Sequence, residues 1–244
     1  MILRRFTQHI KEQNWFAVGL DVIVVIVGIF MGMQVTEWND ERQHSVMMTE
    51  YLNNMRLELS DDIEDWEREK SRNSEKIKDL LSIIISLRDT EKIEDKVNFI
   101  RTLQRSFRSA PIVSNNSVYT DMLSSGNLKL IKSQQLRQKI IDHYNWVERF
   151  EAHSQREYDL VWNKFIPYFN DLGYFDWGAT NEAIPREKNV SESLIFSLEL
   201  GSPEFKALEN NLAFRRITLL SQNSGFDKAI KDTKELLEFV TNEI

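Results

Sequence analysis

The sequence predicts an all-α protein in which one N-terminal transmembrane helix precedes an antiparallel helical bundle. The first observation is an apolar run, Ala17 to Thr36, of about twenty residues, enough for a helix to cross a bilayer's roughly 30 Å hydrocarbon core. The second is that apolar residues in the rest of the chain recur at three- and four-residue steps. The third is the scarcity of helix breakers, because 244 residues include 8 Gly and 4 Pro.

The apolar run has the features of a permanent membrane anchor. Its one charged residue is Asp21, and no small-residue cleavage motif of a signal peptide follows it. Trp15 and Trp38 flank the run and serve as interface anchors, since amphipathic rings favour the headgroup region. A buried core helix is the alternative, but such helices rarely stay apolar on every face over this length. The transmembrane helix is therefore predicted at residues 17–36, with membrane lipid around it.

The charges on either side of the span predict its orientation. Three basic side chains precede it, namely Arg4, Arg5 and Lys11. The twenty residues after it contain four carboxylates and two arginines. Lys and Arg near a span favour the cytoplasmic side of a membrane. We therefore expect residues 1–16 to form a cytoplasmic tail and residues 37–244 to form an extracytoplasmic helical domain.

Periodicity and capping signals predict the helices of this domain. A first helix continues from the span to about Leu87, unless the wholly polar stretch 67–76 breaks it. Later helices are expected at about 93–110, 118–124, 134–169, 191–200 and 203–242. Ser133 and the pair Ser202–Pro203 are start signals, and Gly126 suits a left-handed C-terminal cap. The polar loop 114–117 is expected to cap the short helix that follows it.

Two segments have both a structural and a functional interpretation. The irregular stretch 170–189 contains Tyr174, Phe175 and Trp177, which we expect to pack on the bundle or to face a partner or lipid. The turn Ser124–Leu128 is expected to end a helix and to return apolar residues to the core. Its alternative role is to present backbone amides to an anion, but few basic residues lie near it in sequence.

Composition and motifs predict a protein without catalytic chemistry. The chain lacks cysteine, which excludes disulfides and thiolate metal sites, and its net charge of −7 argues against nucleic acid as a partner. No histidine lies in a zinc-binding helical pair, and no phosphate loop, nucleophile elbow or dinucleotide fingerprint occurs. We therefore expect no enzyme activity, no cofactor and no metal. The carboxylates between residues 61 and 67 are expected to be solvated.

The span also contains a helix-packing motif. Gly28 and Gly32 form a G-x-x-x-G pair, which lets two transmembrane helices approach closely. Asp21, the intramembrane acid, falls on the same helical stripe. This arrangement predicts that the span associates with a second copy or with another envelope protein.

Two stretches resemble a family of bacterial single-span membrane proteins that is classified as a domain of unknown function. The first is DVIVVIVGIFMGMQVTEWNDER, from Asp21 to Arg42, and the second is VYTDMLSSGNLKLIKSQQLRQKIIDHY, from Val118 to Tyr144. Glu37 stands where the family more often has Asn, and Asp21 where it more often has Glu. The resemblance implies no activity. It implies an envelope protein of a Gram-negative bacterium, hence a single-pass inner-membrane protein with a periplasmic domain.

Three functional hypotheses follow. The leading one is a non-enzymatic, membrane-anchored helical protein that binds a partner or self-associates at the bacterial envelope. The alternative is an accessory subunit of an ion-driven membrane machine, in which Asp21 handles protons as an intramembrane acid. A second alternative is a ligand-sensing bundle, which would need a partner for signalling because the predicted cytoplasmic tail is short.

Overall fold

A computed structural model of the chain describes residues 15–172 and 193–244. In these two ranges the regular structure is entirely helical, which confirms the predicted all-α class. The α-helices are α1 Trp15–Ser86, α2 Lys96–Phe107, α3 Ser117–Ser124, α4 Gln134–Leu160, α5 Ile166–Asp171 and α6 Pro203–Glu243. Short 3-10 turns lie at Thr90–Lys92, Asn127–Leu130 and Leu194–Ser197, and a π-helical turn, Val161–Phe165, joins α4 to α5.

The chain divides after Leu52 into two units. The described part of the first unit is the N-terminal part of α1, and it contains the predicted span. Its apolar side chains are exposed, for example Ile26 at 59% and Phe30 at 62%. Within the described ranges, one helix is long and apolar enough to cross a membrane, and none of its apolar window is buried.

The second unit, from Asn53 onward, is an antiparallel bundle. Lys234 on α6 pairs with Glu67 on α1 at 2.7 Å, and Glu209 pairs with Arg88 at 2.9 Å. Residue numbers therefore fall along α6 as they rise along α1. Helix α2 runs antiparallel to α1, since Asp79 pairs with Arg105 and Lys76 with the Arg108 carbonyl just beyond α2. Helix α4 and the π-helical turn that follows it run antiparallel to α6, through Phe150–Phe226 and Phe165–Phe214.

The core of the bundle contains a cluster of phenylalanine rings. The Phe107 ring centroid lies 5.3 Å from that of Phe165 and 4.6 Å from that of Phe169. The helix carrying the latter two widens into the π-helical turn just before Pro167. Proline lacks an amide donor and its ring clashes with the carbonyl four residues earlier, so a wider turn relieves both problems.

The predicted helix boundaries agree with the structure at most of the capping residues. Ser133 Oγ accepts a hydrogen bond from Leu136 N at 3.2 Å, and Ser202 Oγ accepts one from Phe205 N at 3.1 Å. Gly126 adopts a left-handed φ of 72° after α3. The polar stretch 67–76 does not break α1, and its arginines pair with carboxylates one turn earlier, Arg68 with Asp65 and Arg72 with Glu69. Of the helix predicted at 191–200, the described part is a 3-10 turn.

Candidate functional site

The predicted residues of the span lie on an open helix surface. A Cβ atom added at Gly28 or Gly32 would meet no atom within 4 Å. Trp38 is 65% exposed, and Trp15 is the first residue of α1. Asp21 is half-buried on the same helix. The surface that carries the two glycines is therefore free for a second helix.

Of the two segments with alternative predicted roles, the structure describes one. The three aromatic residues Tyr174, Phe175 and Trp177 lie outside the described residues. In the turn Ser124–Leu128, Gly126 ends the helical run, and Ile131 beyond it is buried in the core. The nearby Lys129 is exposed, so this turn has the geometry of a structural cap.

Carboxylates from α1 and α4 hold the loop before α3. Asp62 Oδ1 accepts hydrogen bonds from the backbone and side-chain nitrogens of Asn115, at 2.8 and 2.9 Å. Glu151 Oε1 accepts from Ser114 N and Oγ, at 2.6 and 2.7 Å. Glu58 accepts from Ser117 Oγ and, at 3.3 Å, from the amide of Val118, the second residue of α3.

Two predictions about this region were wrong. Asp62 was expected to be solvated but is 1% exposed, because it lies on the apolar face of α1 and meets Asn115 there. The polar loop was expected to cap α3 itself. Glu58, on a distant part of the chain, provides the cap instead, since the loop side chains donate to carboxylates. Burial raises the pKa of Asp62 to about 7, against the opposing effect of the Asn115 hydrogen bonds.

A second polar group lies deeper in the bundle. Arg215 on α6 is 1% exposed, and its Nε donates to the carbonyl of Ser106 at 3.2 Å. Glu157 on α4 is also buried, and burial raises its pKa to about 7 although the charge of Arg215 opposes the shift. Burial likewise lowers the pKa of Arg215 to about 10. Both side chains are buried, so this part of the bundle holds one acid and one base away from water.

A cleft of about 230 Å³ opens along α1 in the bundle. Trp66, Asn73 and Lys76 line it from α1, while Ile112 and Phe226 come from the loop before α3 and from α6. Asn73 Nδ2 donates to Gln222 Oε1 at 3.0 Å at its base. Lys76 Nζ donates to Asn73 Oδ1 at 3.3 Å and to the Arg108 carbonyl at 3.0 Å.

The buried polar residues of the bundle were not predicted, although their spacing is visible in the sequence. Asp62 lies three residues after Leu59 and four before Trp66, which puts it on the apolar face of α1. Arg215 has the same relation to Leu212 and Leu219 on α6. A polar residue at an apolar position of a helical stripe is the signal that identifies such groups.

The described residues offer little for metal chemistry. In these ranges no group of three or more His, Asp or Glu side chains is arranged to hold a metal ion. His143 is buried between α4 and α6, and neither ring nitrogen has a hydrogen-bond partner in the described structure. Burial lowers its pKa to about 4, so the imidazole is neutral at neutral pH.

Fold and sites together define a class: an all-α protein with one candidate membrane span, a helical bundle and a polar cleft in that bundle. The chain belongs to the Family of unknown function (DUF6090), whose model matches residues 21–165, more than half of the chain. The match includes both stretches that carry the family resemblance, which is thereby confirmed. No curated protein and no solved structure matches the chain.

Proposed function

We propose that this chain is a non-enzymatic, membrane-anchored protein of the bacterial envelope that self-associates or binds another envelope protein. The observation that carries the proposal is the exposed surface of the apolar segment around Gly28 and Gly32. These glycines are one helical turn apart, and small residues at this spacing let two helix backbones approach closely in a bilayer. Apolar side chains around them would pack against the same partner helix.

The proposed location is the inner membrane of a Gram-negative bacterium. Residues 1–16 would lie in the cytoplasm and residues 37–244 in the periplasm. The basic residues before the span support this orientation, as does the excess of carboxylates after it. The resemblance to bacterial single-span proteins supports the compartment.

Thiol labelling in intact cells tests the orientation. The chain has no cysteine, so each introduced cysteine reports on one position. We expect Asn14→Cys to be protected from a membrane-impermeant maleimide and Lys129→Cys, on the exposed surface of the bundle, to react. Both should react after the inner membrane is permeabilised. The reverse pattern in intact cells would place the bundle in the cytoplasm.

Energy transfer between labelled full-length chains in liposomes tests the proposed association. We expect Gly28→Leu combined with Gly32→Leu to weaken association by roughly tenfold, because the added side chains keep the backbones apart. Gly19→Leu is the matched control, since it adds the same side chain on the opposite side of the helix. Equal association of all three proteins would refute the role of the glycine surface.

The ion-driven alternative rests on Asp21. Its Oδ2 is shielded from solvent and has no hydrogen-bond partner in the described structure. An acid in a transmembrane helix is costly unless it is hydrated, paired or used for ion transfer.

A further inference from the structure

The outward face of α6 changes its chemistry along the helix. Beyond residue 225 most of its exposed positions are charged, for example Lys231 and Glu238. From residue 210 to residue 224 no exposed position is charged, and the exposed residues are one Asn, one Ala, two Ser and three large apolar side chains, Phe214, Ile217 and Leu220. In a chain of which 28% of the residues are charged, an uncharged and largely apolar stretch of exposed helix indicates an interaction surface.

Two contacts fix the register of α6 against α1 on this side of the bundle. Asn223 Nδ2 donates to Ser74 Oγ at 3.0 Å, and Arg88 pairs with Glu209 at 2.9 Å. The helices are antiparallel, and residues 74 to 88 form a segment of the same length as residues 209 to 223. The register is therefore constant between the two contacts, and position 81 of α1 lies level with position 216 of α6.

Helix α1 extends the apolar surface of α6 at this level. Leu81 and Ile85, one turn apart, are exposed on α1 and belong to an uncharged run from residue 80 to residue 87. Leu81 lies seven residues from both Ser74 and Arg88, so it is on the stripe of α1 that faces α6. The exposed apolar residues of the two helices form what we call the α1–α6 patch, which consists of Leu81, Ile85, Phe214, Ile217 and Leu220.

The α1–α6 patch is large enough to be the centre of a dimer interface. Its five side chains are between 43% and 62% exposed in the described structure. At about 200 Å² for each whole side chain, they expose on the order of 500 Å² of apolar area. A standard interface buries about 800 Å² on each partner, and in homodimers about two thirds of that area is apolar. The patch therefore supplies the apolar share of such an interface, with neutral Ala213 and Ser221 at its rim.

Charge favours a second copy of the chain as the partner. Each copy has a net charge of −7, so two copies repel each other over most of their surfaces. At the patch they can meet without placing like charges opposite each other, because none of the five residues is charged. A strongly charged partner would leave its charges unpaired here. An identical patch is as apolar and as neutral as this one, which is the complementarity that the surface requires.

We propose that the α1–α6 patch is an interface between two copies of this chain. A two-fold axis through the patch brings the patch of one copy onto the same patch of the other. Ile217 lies between Phe214 and Leu220 along α6, so the two Ile217 side chains meet near the axis. The proposal rests on the proposed self-association, and it adds a contact in the bundle to the contact at the span glycines.

Cross-linking through single cysteines tests whether two patches meet. The chain has no cysteine, so Ile217→Cys carries one thiol at the proposed centre. With full-length chains in liposomes, we expect a short bismaleimide to link Ile217→Cys into covalent dimers. Leu123→Cys is the matched control, because Leu123 is 58% exposed against 59% for Ile217. It lies on α3, which contacts Glu58, roughly 35 Å along α1 from Leu81.

The two cysteine variants should differ by about tenfold in the yield of covalent dimer, since in a two-fold interface only residues near the axis meet their own copies. Equal yields from the two variants, or no dimer from Ile217→Cys, would overturn the proposal.

Charge substitutions separate this interface from the span contact. In the liposome energy-transfer assay, Ile217→Glu should weaken association by roughly tenfold, because it places two carboxylates against each other at the axis. Leu123→Glu adds the same charge at an equally exposed position and should associate like the wild type. Both variants should keep the helix content of the wild type by circular dichroism, since both positions are on the surface.

The outcomes for the two contacts are distinguishable. If Gly28→Leu with Gly32→Leu weakens association and Ile217→Glu does not, the span contact is supported and the patch is refuted as an interface between copies. If only Ile217→Glu weakens association, the patch is supported and the span contact is refuted. Normal association of Ile217→Glu together with loss of the phenotype that a deletion shows would assign the patch to a different protein and would overturn the proposal.

Discussion

The apolar segment and the bundle differ in the exposure of their apolar side chains. Phe30 in the segment is 62% exposed, whereas Phe107 in the bundle is 1% exposed. In the core of the bundle, apolar side chains are covered by other parts of the same chain. In the segment, none of the apolar window is buried in the described structure, and under the proposed function lipid or another helix covers it. The two regions therefore differ in what their stability depends on, and substitutions can separate these dependences.

The largest expected difference is between two phenylalanine truncations. Phe107→Ala should lower the free energy of unfolding of the bundle by about 3–5 kcal/mol, because it removes a fully buried ring that packs on Phe165 and Phe169. Phe30→Ala removes the same ring from the exposed segment and should change that free energy by about 0.5 kcal/mol or less. Urea unfolding of the full-length chain in mild detergent, followed by circular dichroism, measures both.

One result for these two variants would contradict the contrast between the apolar segment and the bundle. A similar loss in Phe30→Ala would mean that the apolar segment contributes to the stability of the bundle. In that case the description of the two as independently stabilised regions is wrong. Wild-type behaviour of Phe107→Ala would instead show that the phenylalanine cluster is not the centre of the core.

A smaller effect is expected from pH, and it should be confined to the bundle. Burial raises the pKa of Asp62 and of Glu157 to about 7, from ordinary values of 3.8 and 4.5. Between these values and pH 7 the folded chain binds more protons than the unfolded chain, so stability falls as the pH rises. His143, with its pKa lowered to about 4, acts in the opposite sense below about 6.5. From pH 6.5 to 7, His143 no longer offsets the effect of the two carboxyl groups on the free energy of unfolding.

Asp62→Asn isolates one of these groups. The free energy of unfolding of the wild type should fall as the pH rises from 5 to 7. In Asp62→Asn this decrease should be smaller, by at most about 1.4 kcal/mol per pH unit. Asn retains an oxygen that accepts from Asn115, so the loop should stay in place. Asp61→Asn is the matched control, because Asp61 is the adjacent residue and its side chain is exposed. The same pH dependence in wild type and Asp62→Asn would show that Asp62 does not titrate in this range.

The smallest effect is expected at Asp21. If this acid lies near the cytoplasmic interface and fixes the depth of the helix, Asp21→Asn should insert and associate like the wild type and should support the phenotype lost on deletion. Fractionation, the liposome assay and complementation measure these three properties. A variant that inserts and associates normally but fails to complement, while Asp21→Glu succeeds, would make the ion-driven alternative the leading hypothesis.

Local signals in the sequence were sufficient for the helices and most of their ends. The Ser202–Pro203 pair begins α6, Ser133 caps α4 and Gly126 follows α3, because each acts through atoms within a few residues of itself. The apolar run of the span is likewise a local property of composition. For these features the sequence prediction and the structure agree.

The partners of the buried polar residues in the bundle could not be predicted, because they come from distant parts of the chain. Asp62 is held by Asn115, 53 residues later, and Asn73 by Gln222, 149 residues later. Acidic residues between 61 and 67 look alike in sequence, and the position on the apolar stripe separates Asp62 from its neighbours. Likewise, only the structure shows that the indole Nε1 of Trp66 is buried without a hydrogen-bond partner among the described residues.

The cap that Glu58 provides for α3 has a consequence for the order of folding. Helix α3 has eight residues, and an isolated helix of that length is unstable in water. The amide of Val118, in its first turn, is satisfied by a carboxylate 60 residues earlier in the chain, which reaches it after a long loop has closed. Helix α3 should therefore form late, after α1 has docked against the following segment, although it is one of the shortest and most local elements.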